Sequence, residues 1–594
     1  MKKIMEQYMR RTYRCRTVIA PGAGGAAGAA NGVGMRNNSS AEKEIQAQRR
    51  LVRALRREIF GVDKTSRSRY IRDFQADFRS YRRICSRSDV FERARGSDIV
   101  WFGDYHPLEA SQTFALELMQ ALAGNGRPVV LALEMLYEFH QETLDRWMKG
   151  TITEEDFLET IDYESEWGFG WESYRRFFEA ARDPFVPIFG IDHPPRDQLR
   201  FIRRRDRFMA RRIETVRRFF PGHTAVVVVG ESHLAANHLP ARVRELAEEP
   251  PRETTIVQNI DEIAWALTRE GRADAEAVEI DAGRFCVFTA SPVVKYQSYR
   301  QTITRWVEGA ECDITTPGFI ELVEAVFSFL LGTDRPEVTL GEDWREPVSS
   351  AWPEVLCGST YQGLLIDMRA RRLTQSGTLA AHENLRHTGM TYVPAVNAVF
   401  SARYDPVCAA MEATRFVLYA MRDEIGRFGR IRRRMDDRFY SFVIEEALCR
   451  VGARLVDPKL DFSCPTPLLG ALGQANGSGG RLPGLTPAET RETRELMRYH
   501  TRRERRAGEE MRPTAKLRRI YRLGIRKRLW IVKALGSVLG DALYRAFHDG
   551  SATVADLRGL FRERFEAPGS GMGVYLGLVK RLGIHGAQRR TRRD

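Results

Sequence analysis

Five short apolar runs, separated by stretches with helical spacing, constrain the fold of this chain most strongly. They are "DIVWFG" at 98–103, "PVVLALE" at 128–134, "FVPIFGI" at 185–191, "TAVVVVG" at 224–230 and "TTIVQNI" at 254–260. Runs bounded by Gly and Pro, with room for a helix between them, are typical of parallel strands that are buried on both faces. We therefore predict an α/β domain with a parallel sheet and flanking helices over residues 95–290.

The rest of the 594-residue chain is too long to join one core, and we expect it to form further segments. Residues 1–41 are polar and Gly-rich and predict a disordered tail, whereas 42–94 carry Ile, Leu and Phe at helical spacing and predict a helical lead-in. After the α/β domain we predict a mostly helical domain at 291–470, a linker at 471–487 and a basic helical segment at 488–594.

The net charge of +15 has two explanations. It could reflect an anionic partner, either nucleic acid or a membrane surface. Alternatively, it follows from a GC-rich genome, because only 11 of the 93 basic residues are Lys. The second explanation is favoured, and nucleic acid is not expected as a partner.

The spacing of the cysteines and the search for targeting segments indicate the cellular compartment. The eight cysteines are scattered and form no C-x-x-C pair, which is typical of reduced thiols in an intracellular protein. We find no secretory signal, no lipobox and no run of about 18 apolar residues that would cross a membrane. A cytoplasmic location is therefore expected.

Two of the predicted strands end in the same short pattern, Gly-x-x-His. "GDYH" at 103–106 follows the first strand and "GESH" at 230–233 follows the fourth, while "GIDH" at 190–193 and Glu134 follow the strands between them. Parallel strands deliver their carboxyl ends to one edge of a sheet, so we expect these side chains to meet there. Two imidazoles and a carboxylate suit zinc, iron or manganese, although a purely structural histidine pair remains the alternative.

The stretch from "GDYHPLEASQTF" through "LALEMLYEFHQETLDRWMKGTITEEDF" resembles the ChaN-like haem-binding uptake family. This family is grouped with the Tiki proteases, the TraB proteins and, more distantly, the erythromycin esterases. "RRRDRFMARRI" at 203–213 and "VVVVGESHL" at 226–234 are similar to its later motifs. The resemblance covers about residues 95–260, under a third of the chain.

The resemblance implies a metal site formed by His106, Glu134 and His233. Where relatives often carry Asn after the third strand, this chain departs with Asp192 and His193, which makes His193 a candidate extra ligand. The resemblance also implies acid/base or supporting roles for Asp104 and Glu231. Where the family usually has Glu, this chain has Asp104, whose side chain is one methylene shorter. Any role that requires the longer reach of a Glu carboxylate is therefore in doubt.

Haem is the second cofactor that the resemblance implies. It requires an axial His or Tyr over an apolar pocket, for which Tyr105, Tyr137 and His140 are the candidates.

Members of this family differ in function, so we consider three hypotheses for this chain. The first is a domain that binds haem or a divalent transition metal, in iron or haem handling. The second is a metal-dependent hydrolase acting on an ester or peptide bond. The third is an interaction protein whose site has decayed.

One basic stretch lies outside this resemblance. Residues 511–533 hold nine Lys or Arg and no acid, interleaved with apolar residues at near-helical spacing. Such a helix could lie peripherally on an anionic membrane surface, and a solvated helix face is the alternative.

Overall fold

The fold is described from a computed structural model of the chain. The structure describes residues 40–62, 69–124, 127–182, 185–196, 201–308, 315–331, 352–358, 361–371, 373–427, 433–460, 482, 484–506, 511 and 514–585. Nearly all of the tail predicted at 1–41 and most of the linker predicted at 471–487 lie outside these residues. The described residues divide into two compact units, one within Val52–Cys312 and the other within Met35–Leu51 and Asp313–Asp594.

The first unit is built on an eight-stranded sheet in the order β1-β7-β8-β6-β2-β5-β3-β4. The six strands from β8 to β4 in this order are parallel, whereas β7 is antiparallel to both β8 and β1. The predicted α/β class is confirmed. The strands are β1 (Arg83–Cys85), β2 (Ile99–Asp104), β3 (Val129–Tyr137), β4 (Ile188–Asp192), β5 (Thr224–Gly230), β6 (Glu253–Gln258), β7 (Ala277–Asp281) and β8 (Arg284–Val287).

Helices cover both faces of this sheet. Alternate residues of each central strand face opposite sides, as in β2, where Val100 and Phe102 join one core and Ile99 and Trp101 join the other. The helices are α1 (Ser40–Val62), of which residues from Val52 onward belong to this unit, α2 (Arg69–Asp77), α3 (Arg87–Arg95), α4 (Glu109–Ala123), α5 (Gln141–Met148), α6 (Glu154–Thr160), α7 (Tyr163–Glu166), α8 (Trp171–Ala180), α9 (Ile202–Phe219), α10 (Leu239–Leu246), α11 (Asp261–Arg269) and α12 (Pro292–Glu308).

Three strands of this sheet were not among the five predicted runs. β1 lies in the segment that was expected to be helical throughout, whereas β7 and β8 follow the last predicted run. All three are short, so none presents the long apolar run on which the prediction relied. They extend the sheet at the edge beyond β6.

The second unit is mostly helical but also contains a three-stranded sheet that the sequence did not predict. Its strands have four residues each, too short for an alternating pattern to stand out. They are β9 (Glu354–Cys357), β10 (Met390–Val393) and β11 (Ala398–Ser401), and the helices are α13 (Thr315–Leu331), α14 (Tyr361–Ala370), α15 (Gln375–Thr388), α16 (Pro406–Met421), α17 (Met435–Val456), α18 (Pro487–Glu504), α19 (Ala515–Tyr521), α20 (Ile525–His548), α21 (Val554–Arg562) and α22 (Ser570–Arg581).

The units differ from the predicted domains at two points. Helix α12 lies in the first unit, although a boundary was expected before it at 290. The basic segment expected at 488–594 shares a unit with the preceding helices, and α20 packs directly on α17. There Gly540 approaches the backbone oxygen of Ala447 so closely that an added Cβ would lie 2.7 Å from it.

The basic stretch at 511–533 is amphipathic, but its apolar side is used inside the second unit. Leu517 and Ile520 of α19 and Trp530 and Ile531 of α20 are buried. An interfacial helix needs such side chains free for the lipid, so the membrane-surface hypothesis gains no support from this stretch. No helix in the described part of the chain is long and apolar enough to cross a membrane.

Candidate functional site

The carboxyl ends of β2, β3 and β5 place both motif histidines in one crevice. β2 and β5 are paired so that Asp104 lies opposite Gly230, and β3, which pairs with β5 on its other side, carries Glu134. Oε2 of Glu134 is 3.9 Å from Nε2 of His106, and Oε1 is 3.4 Å from Nε2 of His233. One carboxylate therefore lies between the two imidazoles.

His106 is oriented by the carboxylate two residues before it. Its Nδ1 is 2.8 Å from Oδ2 of Asp104, which is buried. The carboxylate accepts the Nδ1–H, so the lone pair of the neutral ring is on Nε2. Among the described residues Nε2 has no hydrogen-bond partner, and the side chain is 20% exposed. His106 therefore presents an available nitrogen at the crevice.

Asp104 is itself held on every side. Ser111 and Gln112, from α4, donate to Oδ1 over 2.8 and 2.6 Å, and the Tyr174 hydroxyl donates to Oδ2 over 2.6 Å. These hydrogen bonds fix the direction of the carboxylate. The shorter side chain at this position still reaches the imidazole.

Aromatic rings form the wall beside His106. Its ring centroid is 4.5 Å from that of Trp167 and 5.1 Å from that of Phe169. Between them Gly168 adopts a φ of +72°, which an L side chain rarely adopts, and its carbonyl accepts a 2.7 Å hydrogen bond from Nε1 of Trp306 in α12. Helix α12 therefore fixes the segment that carries this wall.

His233 has a different environment. It is buried, its Nδ1 is 2.6 Å from Oδ1 of Asp206 in α9, and its Nε2 faces Glu134. The Tyr70 hydroxyl supports this arrangement by donating to Asp206. Burial disfavours the charged ring, but Glu134 and Asp206 outweigh it and raise the pKa of His233 to about 9. His233 is therefore an imidazolium whose two N–H groups both face carboxylates.

Two buried arginines complete this charged network. Arg205 donates to Glu134 Oε1 over 2.5 Å and to Asp192 over 2.8 Å, and Arg196 donates to Asp192 over 2.6 Å. Burial opposes ionisation of Glu134, yet His233 and Arg205 hold its pKa well below its usual range. With His233, these cations balance three carboxylates, those of Asp192, Asp206 and Glu134.

The described residues present no ready-made site for an ion shared by His106, Glu134 and His233. Nδ1 of His233 is 2.6 Å from Asp206, and its Nε2 faces Glu134. Both oxygens of Glu134 are engaged, Oε1 by Arg205 and Oε2 by the Gly230 N–H over 2.5 Å. Within the described residues no group of three His, Cys, Asp or Glu side chains is arranged to hold a metal ion.

Glu231 belongs to a neighbouring polar cluster. Its Oε1 accepts a 3.3 Å hydrogen bond from the buried Lys295 of α12, and its Oε2 is buried without a hydrogen-bond partner in the described structure. Burial raises the pKa of Glu231, and Lys295 opposes this. Tyr105 contributes its ring to the same cluster, 4.7 Å from Nζ of Lys295, with its hydroxyl buried.

Tyr137 and His140 make their contacts with other residues. The Tyr137 hydroxyl donates to Glu166 over 2.7 Å. The ring of His140 is tilted against that of Phe139, which is 58% exposed, and burial followed by Arg196 lowers the pKa of His140.

His193 follows the carboxyl end of β4, whereas His223 precedes a strand. The ring of His193 stacks on Phe208, and its Nδ1 is 2.9 Å from the carbonyl oxygen of Pro194. His223 precedes β5 at the opposite, amino edge of the sheet.

Sequence reasoning missed several residues that define the two environments. Arg205 and Asp206 lie in the "RRRDRFMARRI" stretch, where an acid within a strongly basic helix was the available signal. Tyr174, Lys295 and Trp306 carry no local pattern, because each acts through a hydrogen bond to a residue distant in sequence.

Comparisons with known proteins agree with the resemblance drawn from the motifs. Residues 90–206 match the family model described as haem-binding uptake, Tiki superfamily, ChaN. A solved structure titled "Cofacial heme binding to ChaN of Campylobacter jejuni" is similar at 14% identity and a TM-score of 0.24, covering 30% of this chain and 86% of that chain. No curated protein matches the chain. The part of the α/β unit at 90–206 is therefore similar to the haem-binding uptake family, ChaN, of the Tiki superfamily.

Proposed function

We propose that the α/β unit binds haem, with Nε2 of His106 as the axial donor. The observation that carries this proposal is the state of that nitrogen: Asp104 accepts the Nδ1–H, and Nε2 has no hydrogen-bond partner among the described residues. A carboxylate on the far nitrogen is the usual support of an iron-binding histidine, because it fixes the tautomer and raises the basicity of the ring.

The surroundings of His106 also suit a flat, largely apolar group. Trp167 and Phe169 flank its ring, and Trp306 packs against Phe169 with centroids 5.0 Å apart. Aromatic walls of this kind bury large apolar ligands well. When bound, haem iron would supply ligand-binding or electron-transfer chemistry, while Asp104 holds the proton on Nδ1 of His106.

Glycine at position 230 supports the same role. A Cβ built on Gly230 would lie 3.2 Å from Nε2 of His106 and 3.4 Å from Oε2 of Glu134. Any other residue would therefore crowd the nitrogen that is proposed to bind iron. Gly230, from the second motif, thus leaves space beside Nε2 of His106, from the first motif.

Titration of haemin into the purified full chain tests this proposal. The wild type should develop a shifted Soret band with saturable binding, and His106→Ala should weaken binding at least about tenfold through the lost axial bond. His223→Ala is the matched control, because this histidine is at the opposite edge of the sheet. His140→Ala and Tyr137→Phe complete the series. If binding survives in His106→Ala but is lost in either of these, the ligand assignment is wrong.

A second function, hydrolysis of an ester or peptide bond without a shared metal, is favoured by one observation. Nε2 of His106 faces Oε2 of Glu134 at 3.9 Å, so the Asp104–His106 pair could serve as a general base for water. Turnover of ester and peptide substrates that is lost in His106→Ala, from a wild type that gives no Soret band, would favour this function. Absence of both activities would favour an interaction protein with a decayed site.

A further inference from the structure

The basic stretch of the second unit surrounds a cavity that the proposed haem site does not involve. This cavity has a volume of about 530 Å³. Its lining consists of Ala515, Arg518, Arg519, Arg522, Leu523 and Gly524. A volume of this size suits a small molecule rather than a macromolecule.

Positive charge in this cavity is poorly compensated. Arg519 is paired with Glu492, but Arg518 and Arg522 form no ion pair within the described part of the chain. These two arginines are four residues apart at the end of α19, a spacing at which like charges repel on a helix. An anion between them would remove this repulsion.

The neighbouring cations follow a different pattern. Lys527 is paired with Glu492, and Arg526 with Glu383, so these positions are balanced within the unit. By contrast, Arg528 forms no ion pair among the described residues, and burial followed by the nearby Arg438 lowers its pKa. Arg528 is therefore a third cation without an ion pair in the described structure, close in sequence to Arg518 and Arg522.

The start of α20 adds backbone donors to the same place. Gly524, which lines the cavity, is the N-cap residue, and neither it nor any acid in the first turn caps the helix. The first N–H groups of a helix carry partial positive charge and favour an anion. They supplement the arginines, which are the main feature of the cavity.

We propose that this cavity is a binding site for a phosphate-bearing small molecule or headgroup, held by Arg518, Arg519 and Arg522. Guanidinium groups bind phosphate oxygens through paired, charge-assisted hydrogen bonds, and several of them suit a group with two or more charges. Ala515 and Leu523 provide a short apolar wall for the remainder of the ligand. The same phosphate chemistry is carried by a free diphosphate and by a phosphatidic acid headgroup.

Isothermal titration calorimetry of the full chain with inorganic pyrophosphate tests the site. The wild type should bind it, and an Arg518→Gln/Arg522→Gln variant should bind at least about tenfold more weakly, because two charge-assisted contacts are lost. Lys516→Gln/Arg545→Gln is the control, since it removes the same charge from α19 and α20 outside the cavity lining. All four side chains are exposed, so folding should be unaffected.

Vesicles identify the source of the phosphate. The full chain is sedimented with phosphatidylcholine vesicles that either contain or lack phosphatidic acid. A lipid headgroup is the ligand if the wild type and the control variant bind only the vesicles with phosphatidic acid and the arginine variant binds neither kind. If both double variants lose binding equally, the net positive charge of the protein alone attracts the anion. The proposed binding site would then be wrong. Binding of a single-stranded oligonucleotide, with neither pyrophosphate nor vesicles bound, would also overturn it.

Discussion

The two Gly-x-x-His turns of this chain have nearly the same sequence but opposite chemistry. His106 has Asp104 on Nδ1, its Nε2 has no hydrogen-bond partner within the described part of the chain, and its side chain is 20% exposed. His233 is buried between Asp206 and Glu134 and is held as an imidazolium. The first turn presents a ring nitrogen at the crevice, whereas the second contributes a buried positive charge to the fold.

This difference shows that a motif fixes the position of a side chain but not its protonation state. Both rings are brought to the same edge by neighbouring parallel strands. Two carboxylates approach each ring, but at different distances and degrees of burial. His106 has Asp104 at 2.8 Å and Glu134 at 3.9 Å and is 20% exposed, whereas His233 has Asp206 at 2.6 Å and Glu134 at 3.4 Å and is buried.

The largest effect that would test the difference between His106 and His233 is on the free energy of unfolding. His233→Ala removes one cation from a buried network and leaves Asp206 and Glu134 without it, so we expect a loss of about 3–5 kcal/mol in the α/β unit. His106→Ala should cost less than about 1 kcal/mol, because its exposed side can be solvated. Calorimetry of the full chain would measure both. Equal shifts in the two variants would contradict the division of roles.

The pH dependence of stability should come next in size. The pKa of His233 is raised from 6.5 to about 9 in the folded chain, so its contribution is fully present below pH 6.5 and is lost as the pH rises through 9. At 1.36 kcal/mol per unit, this contribution is about 3 kcal/mol. Denaturant unfolding of the wild type and of His233→Asn, measured across this range, should show a decline only in the wild type. A parallel decline in both proteins would show that another group is responsible.

The support of His106 should affect ligand binding more than stability. Asp104→Asn removes the carboxylate that accepts the Nδ1–H, and changes of this kind usually cost about 10–100-fold in affinity at an iron-binding histidine. Haemin titration measures the loss. Glu109→Gln, which replaces an exposed acid five residues further on, is the control. Unchanged affinity in Asp104→Asn would mean that the tautomer of His106 is fixed by other groups.

The smallest effect concerns the aromatic wall. Trp306→Phe keeps a ring against Phe169 but loses the hydrogen bond to Gly168, which is worth about 1 kcal/mol. Amide exchange in residues 164–170 should become faster, and haemin affinity should fall a few-fold. Trp171→Phe is the matched control, because its indole donates to Glu154 outside this wall. If both variants behave alike, Trp306 has no special role beside His106.

The sequence by itself determined the α/β class, the positions of the main strands along the chain and the edge at which the motif residues meet. A long apolar run such as that of β5 predicts a buried strand directly, because burial on both faces requires an unbroken apolar pattern. The arrival of His106, Glu134 and His233 at one edge follows from parallel strands alone. Short strands such as β1 and β9 carry too few residues for such a pattern, and they were missed.

Only the tertiary structure decided what each of these residues is chemically. Asp206 from α9 and Lys295 from α12 approach the crevice from helices, not from the strand ends that carry the motifs. The charge of a buried group depends on every ionised neighbour within a few ångströms, and those neighbours are assembled by packing rather than by spacing along the chain. Two nearly identical four-residue strings could therefore acquire opposite roles within one sheet.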